Sequence, residues 1–307
     1  MDSIQSRLEQ GEIIVLDGGI SSEIERRGVE MSYGTWSGTA ISTHPDVITG
    51  VHEDYIKAGA DIITTNTYCG TRVILRRDGL GDRTEEINRR AVEYAQKSRE
   101  RAARERSMWI AGSMSCDVEK FLNDDLSDDE AGAAFQEQAT VLAKAGVDLL
   151  LTECIIGMGH TRKAVEAALA TGLPVWASLN FGPESERDRW SKPPGKLYTG
   201  ETPAEAAKIL VNLGVSAILI FHTRPTDVAV PLQQIKDACS LPVGVYAHSG
   251  EWFRPYFNTV GSLSPYEYLQ WAQDWVSMGA QIIGGCCGTT PEHIGVLKAK
   301  LPAKGPR

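Results

Sequence analysis

Short apolar runs alternate with longer amphipathic stretches along the whole chain of 307 residues. Eight of these runs have the length and β-branched composition of strands, and each is separated from the next by a segment of helical periodicity. They occupy residues 13–16, 61–65, 108–112, 148–152, 175–179, 217–221, 243–246 and 281–283. Strands that alternate with helices predict a parallel sheet, because parallel strands need crossover connections.

The boundaries of these elements carry their own signals. Thr202 and Ser264 each precede a proline and stand three residues before a glutamate, which is a helix start with a capping box. Pro174 and Pro242 block a helix from continuing into the fifth and seventh strands. A similar phrase with a glycine that would end a helix precedes four strands, at Gly59, Gly146, Gly214 and Gly279.

Eight βα units predict a closed (β/α)₈ TIM barrel in the α/β class, with a doubly wound open sheet as the alternative. The composition does not shift along the chain, so we expect one domain over residues 1–307. The longest irregular segment, residues 182–200, follows the fifth strand. A lid, an oligomer contact and a plain surface insertion are all compatible with it.

The net charge of −9 at pH 7 argues against nucleic acid and anionic membranes as partners. The first residues lack a signal-peptide core, and no apolar stretch reaches membrane-spanning length, so we expect a cytoplasmic protein. Six irregularly spaced cysteines fit a reducing compartment better than a disulfide framework. We expect small-molecule partners and leave a homo-oligomer open.

Polar residues directly after the apolar runs are the candidates for chemistry, since barrel active sites lie at the carboxyl ends of the strands. They are Asp17, Gly18, Gly19, Asn66, Tyr68, Glu153, His222, His248, Cys286 and Cys287. Two carboxylates at one barrel mouth would suit a cationic ligand. Asp17 could instead cap the following helix, and Glu153 could anchor a loop.

Cys286 and Cys287 are adjacent between glycines, and adjacent cysteines bridge to each other only with strain. Two thiolates plus an imidazole from a neighbouring strand would form a three-ligand zinc site with an open fourth position. His222 is the best-placed third ligand. The alternative is ordinary: vicinal cysteines can be small buried hydrophobes, and a lone histidine is often a hydrogen-bonding residue.

Three segments resemble the homocysteine S-methyltransferase family. They are Leu16-Asp17-Gly18-Gly19, the stretch from Ala58 through Asn66 to Tyr68, and Gly284-Gly285-Cys286-Cys287-Gly288-Thr289-Thr290-Pro291-Glu292-His293-Ile294. The resemblance implies a zinc barrel enzyme that transfers a methyl group from a sulfonium or quaternary ammonium donor to the thiol of homocysteine, giving methionine.

The same resemblance implies roles for single residues. Asp17 and Glu153 would hold the amino group of homocysteine, and backbone amides near Gly18 and Gly19 would take its carboxylate. Tyr68 and Trp36 could present aromatic faces to a methylated cation, although either side chain could simply be packing.

Two strand ends depart from the family pattern. The family has Asn-Cys-Thr where this chain has Phe221-His222-Thr223, and Tyr-Pro-Asn-Ser-Gly-Glu where it has Tyr246-Ala247-His248-Ser249-Gly250-Glu251. One interpretation is a retuned metal site in which His222, with or without His248, binds the metal. Others are a changed acceptor or donor, with His248 among the substrate contacts, or loss of the metal with a histidine left as an acid or base.

The leading hypothesis is therefore an S-methyltransferase. A metal-assisted hydrolase would use the same histidines and cysteines around an activated water, but the chain lacks a His-Glu-x-x-His signature. A non-catalytic barrel that binds zinc or a thiol is the third hypothesis.

Overall fold

The computed structural model describes residues 3–104, 106–115, 126–153, 157–181, 195–197, 199–253, 256–258 and 262–306. Most of the predicted irregular segment 182–200 lies outside these residues, so its role stays a prediction.

Eight parallel strands form one sheet in the order β1, β10, β7, β6, β5, β4, β3, β2. They are β1 (Ile14–Val15), β2 (Ile62–Thr64), β3 (Trp109–Ser115), β4 (Leu149–Glu153), β5 (Val175–Leu179), β6 (Ala217–Phe221), β7 (Val243–Tyr246) and β10 (Ile282–Ile283). The two end strands meet through a parallel bridge between Leu16 and Ile62. The Asp61 amide also donates to the Val15 carbonyl at 2.7 Å, which closes the barrel.

The predicted TIM barrel is thus confirmed, and each predicted strand is present within a few residues of its expected bounds. The largest difference is β3, which continues past residue 112 to Ser115. Its last residues alternate Ser113, Met114 and Ser115, so the apolar run ended before the strand did. This extension brings polar side chains to the mouth of the barrel.

Helices surround the sheet. They are α1 (Ile4–Glu9), α2 (Ile20–Arg26), α3 (Ala40–Thr43), α4 (Pro45–Ala58), α5 (Arg72–Leu75), α6 (Thr84–Ala102), α7 (Asp128–Ala145), α8 (Met158–Leu169), α9 (Pro203–Leu213), α10 (Ala229–Ala238), α11 (Pro265–Ser277) and α12 (Pro291–Lys300). The capping boxes predicted at Thr202 and Ser264 are both formed. Three of the four predicted glycine caps are left-handed C-caps, whereas Met278 caps α11 and Gly279 follows it in the left-handed region.

The core has two layers. The outer layer lies between strands and helices, and the inner layer fills the barrel. The inner layer includes Ile14, Leu16, Ile62, Leu149, Leu151, Trp176 and Leu219. Cys286 and Cys287 join this inner cluster from above, at the carboxyl ends of the strands. The barrel interior is therefore packed, and the mouth is the place left for a ligand.

An antiparallel hairpin of β8 (Glu251–Phe253) and β9 (Tyr256–Asn258) follows β7. The sequence analysis did not predict it. Across the described part of the chain, every helix is too short or too polar to span a bilayer.

Candidate metal centre and substrate pocket

The turn after β10 carries both cysteines and is tightly packed. The Cys286 amide donates to the Ala247 carbonyl at 2.9 Å, and the hydroxyl of Thr289 donates to the Cys286 carbonyl at 2.6 Å. A Cβ atom on Gly284 would lie 2.6 Å from the Cβ of Leu16, so only glycine fits there. The glycines therefore let the cysteine turn approach the first strand, and the hydrogen bonds fix its position.

His222 follows β6 with a φ of 45°, in the left-handed region. Its amide donates to the Tyr246 carbonyl at 3.3 Å, and its carbonyl accepts from Nδ2 of Asn180 at 3.2 Å. A residue other than glycine rarely adopts this conformation, and such residues cluster at functional sites. The loop thus holds the imidazole at the mouth at some cost in backbone energy.

The structure brings His222, Cys286 and Cys287 together, with one ligand atom from each within 4.8 Å of the others. The two sulfurs are 3.8 Å apart, and Nδ1 of His222 lies 3.5 Å from Sγ of Cys286. Tetrahedral zinc with its usual bond lengths would place two sulfurs about 3.8 Å apart and a sulfur and a nitrogen about 3.5 Å apart. These two distances fit a zinc ion.

The two thiols differ in their acidity. Burial raises the pKa of Cys286 well above the usual value. Cys287 accepts a hydrogen bond from Cys286 and lies beside the His222 ring, and these contacts lower its pKa. One thiolate is therefore favoured even before a metal is considered, and the thiolate is the form that binds metals.

Asp17 and Glu153 lie at the same mouth and are both buried. Asp17 accepts from the Thr64 amide at 2.7 Å and from its hydroxyl at 3.2 Å. Glu153 accepts a short hydrogen bond from the hydroxyl of Ser113. Burial raises the pKa of Asp17 well above its usual range and that of Glu153 to about 7. Within the described residues no lysine or arginine pairs with either carboxylate.

Asp17 bonds across to β2, so the alternative interpretation of this residue as a helix cap is wrong. The N-cap of α2 is Gly19, and no side chain at that position caps the helix. The amide of Gly19 donates to the Thr289 hydroxyl at 3.2 Å, and a Cβ atom on Gly18 would lie 2.8 Å from the Tyr55 hydroxyl. Both glycines thus allow close packing under the cysteine turn, and binding of a substrate carboxylate there stays a prediction.

Aromatic rings line one side of the mouth. Tyr68 meets Trp36 edge to face, with centroids 6.2 Å apart, and lies 6.4 Å from Phe221. Phe221 in turn packs against Tyr246 at 4.8 Å. Trp36 has a φ of 51°, which makes it the second site residue in the left-handed region. These rings form an aromatic wall beside His222, Cys286 and Cys287, the three residues called the metal group below.

His248 stacks on His222, with ring centroids 4.7 Å apart and an angle of 29° between the planes. It does not belong to the metal-binding group that the described residues form. Burial lowers the pKa of His248 to about 3, so the ring is neutral at physiological pH. Because His248 lies outside that group, its coordination of a metal, left open by the sequence, is not favoured.

Several supporting residues were missed by the sequence analysis. Thr64 and Ser113 hold the two carboxylates, and Asn180 holds the His222 loop. Tyr246 is buried beside Glu153 and Ser178, and its hydroxyl interacts with the Glu153 carboxyl, which partly offsets the rise in the pKa of that carboxyl caused by burial. Polar residues inside or just after strands were the available signal, but Ser113 was passed over because β3 was predicted to end at residue 112.

Fold and site together define a (β/α)₈ barrel whose mouth carries two cysteines and a histidine that could hold a metal ion. A sequence profile described as homocysteine S-methyltransferase matches residues 14–301. The chain therefore belongs to the homocysteine S-methyltransferase family.

Individual relatives agree with this assignment. Homocysteine S-methyltransferase of Escherichia coli strain K12 is 28% identical over 97% of this chain and 98% of its own length. Betaine–homocysteine S-methyltransferase 1 of Danio rerio is 28% identical over 98% of this chain and 76% of its own length. The solved structure of the metallated homocysteine methyltransferase MmuM from Escherichia coli matches with a TM-score of 0.79 at 25% identity, over 96% of this chain and 98% of that one.

Proposed function

We propose that this protein is an S-methyltransferase that moves a methyl group from a sulfonium or quaternary ammonium donor to homocysteine, giving methionine. One observation carries the proposal. A group of two thiols and an imidazole, within 4.8 Å of one another, shares a barrel mouth with two buried carboxylates that no described protein cation neutralises. Such a mouth suits a ligand that combines a thiol with an ammonium group.

Cys286, Cys287 and His222 would hold zinc, since the separations of Cys286 from Cys287 and from His222 match a tetrahedral ion. Zinc, when bound, lowers the pKa of an incoming thiol and so supplies a nucleophile at neutral pH. Three protein ligands leave one position for the substrate sulfur. Two thiolates with a neutral imidazole give the donor set one negative charge fewer than three thiolates would.

Asp17 and Glu153 would bind the ammonium group of homocysteine. In the free protein burial favours their neutral forms, because a buried carboxylate without a cation is costly. An arriving ammonium supplies the missing charge and would draw both groups toward their ionised forms. This pairing would orient the substrate so that its sulfur reaches the metal group.

The aromatic wall of Trp36, Tyr68 and Phe221 would receive the methyl donor. A cation against ring faces is stabilised by about 0.5 to 2 kcal/mol, and a neutral product would lose most of that attraction. The wall therefore would favour binding of the charged donor and release of the demethylated product. The donor's identity and a cytoplasmic location stay predictions, as does the single domain.

The test is an assay of purified, zinc-replete protein with homocysteine and either S-methylmethionine or betaine, in parallel with elemental analysis. We expect methionine to form with one of the donors and zinc to approach one ion per chain. Absence of methionine with every sulfonium and quaternary ammonium donor tried, in a protein that holds zinc, would leave a binding barrel and overturn the proposed activity.

A further inference from the structure

His222 and His248 stand at the ends of neighbouring strands and face each other. The rings are 4.7 Å apart at their centroids and 29° from parallel. The backbones are joined as well, because the His222 amide donates to the Tyr246 carbonyl at 3.3 Å.

The orientation of His248 is fixed from outside the metal group. Its Nδ1 atom lies 2.8 Å from the carbonyl oxygen of Gly250. A carbonyl only accepts hydrogen bonds, so Nδ1 carries the hydrogen and donates it. Gly250 has a φ of 99°, so the turn that presents this carbonyl requires a glycine. His248 is therefore a fixed, flat surface beside His222.

His222 needs such a surface. The χ2 rotation of a histidine ring is broad, so its backbone position alone does not fix the ring plane. Its Nδ1 atom must nevertheless point at the position shared with Cys286, whose sulfur is 3.5 Å away. The centroid of the Phe221 ring lies 5.8 Å from that of His222, and the two ring planes are inclined by 37°. This contact is longer than the stack with His248. The stack is thus the closer constraint on the plane of His222.

We propose that His248 is a positioning residue that holds the ring plane of His222 by stacking and so orients the imidazole toward the metal site, without binding the metal itself. This inference rests on the proposed metal site. Orienting contacts around metal ligands typically change metal affinity by about 10- to 100-fold.

The experiment compares zinc affinity, measured by competition with a chelator, in full-length wild type, His248→Ala and His248→Phe. Phenylalanine keeps a flat ring but has no nitrogen, whereas alanine removes the ring. We expect a loss of about 10-fold or more for His248→Ala and about wild-type affinity for His248→Phe. The absorption spectrum of the Co²⁺-loaded proteins should change in the alanine variant and stay close to wild type in the phenylalanine variant.

A double variant separates positioning from other effects. If His248 acts only through His222, then adding His248→Ala to His222→Cys should leave zinc affinity unchanged from the His222→Cys protein. His44→Ala, which changes an exposed histidine at the C-cap of α3, is the matched control and should bind zinc like wild type.

Two results would overturn the inference: wild-type affinity in His248→Ala, or equal losses in His248→Ala and His248→Phe. An equal loss in the His222→Cys background would also reject it. Failure of the proposed function is a different result, namely a wild-type protein that binds no zinc.

Discussion

Two buried aspartates at opposite ends of the barrel differ in their partners. Asp61 lies at the amino-terminal base of the barrel. Its carboxylate forms ion pairs with Lys298 at 2.7 Å and with Arg7 at 3.3 Å, and it accepts a hydrogen bond from the Val15 amide at 2.9 Å. Asp17, at the carboxyl-terminal mouth, receives only the amide and hydroxyl of Thr64 among the described residues. The base carboxylate is neutralised by the protein's own cations, and the mouth carboxylate is not.

This difference separates stability from function. A buried carboxylate with paired cations has its desolvation cost offset, whereas one without a cation costs free energy unless a ligand completes it. The strained residues follow the same division, because two of the three described non-glycine residues with positive φ, Trp36 and His222, lie at the mouth. The mouth is therefore the part of the barrel organised around something that must still bind.

The largest expected effect is at the metal group. Cys286→Ser or Cys287→Ser should lower activity by more than the roughly 100-fold that outer contacts of a metal cost, and should remove bound zinc. Zinc content and initial rates check this. Cys239→Ser, a half-buried cysteine at the end of α10, is the control and should keep both. Full activity in both site variants would show that the mouth does not use these sulfurs.

The next effect is on substrate binding. Asp17→Asn and Glu153→Gln keep acceptors for Thr64 and Ser113 but remove the negative charge. Each should raise KM for homocysteine by about 10- to 100-fold, the equivalent of a charged hydrogen bond of about 1.5 to 3 kcal/mol. An analogue that lacks the amino group should be used equally by the variants and wild type. A similar rise in KM for that analogue would contradict the ammonium role.

At the base, Asp61→Asn should destabilise without touching the chemistry. The substitution leaves Lys298 and Arg7 without their shared carboxylate and should cost about 1 to 3 kcal/mol. For a chain of this size, Tm should fall by about 1.5 °C for each kcal/mol. Thermal unfolding checks stability, and zinc content and KM should match wild type. Altered KM would mean that the two ends of the barrel are not independent.

The smallest effect is the pH dependence from His52, which lies in α4, away from both ends. The ring is fully buried, and both its nitrogens lack partners among the described residues, so burial lowers its pKa from 6.5 to about 4. Between these values the unfolded chain binds the proton and the folded chain does not. Protonation of the buried ring therefore does not reduce the stability of the fold well above pH 6.5. The free energy of unfolding decreases as the pH is lowered from about 6.5 to about 4.

Between pH 7 and pH 6 the loss attributable to His52 should be about 0.7 kcal/mol. Urea unfolding of wild type and His52→Leu at both pH values measures it as a difference. We expect the leucine variant to lose less stability than wild type by that amount. Equal losses in the two proteins would show that other groups carry the acid sensitivity.

The sequence by itself determined the barrel and the candidate metal ligands and carboxylates at its mouth, but not the residues that support them. Local signals mark the helix ends at Thr202, Ser264 and Gly59. The spacing of apolar runs is likewise a property of single segments. Both kinds of signal can therefore be read without knowledge of the tertiary structure. Cys286 and Cys287 could be identified as candidate ligands for the same reason, because they are adjacent in the sequence.

Tertiary structure decided which of those residues act together. The 3.5 Å approach of His222 to Cys286, separated by 64 positions in the chain, depends on the shear and closure of the whole barrel. The same is true of the stack of His222 on His248 and of the pairing of Asp61 with Lys298 rather than with a ligand. A sequence states which groups are present, but distance, burial and charge balance arise only when remote strands close into one barrel.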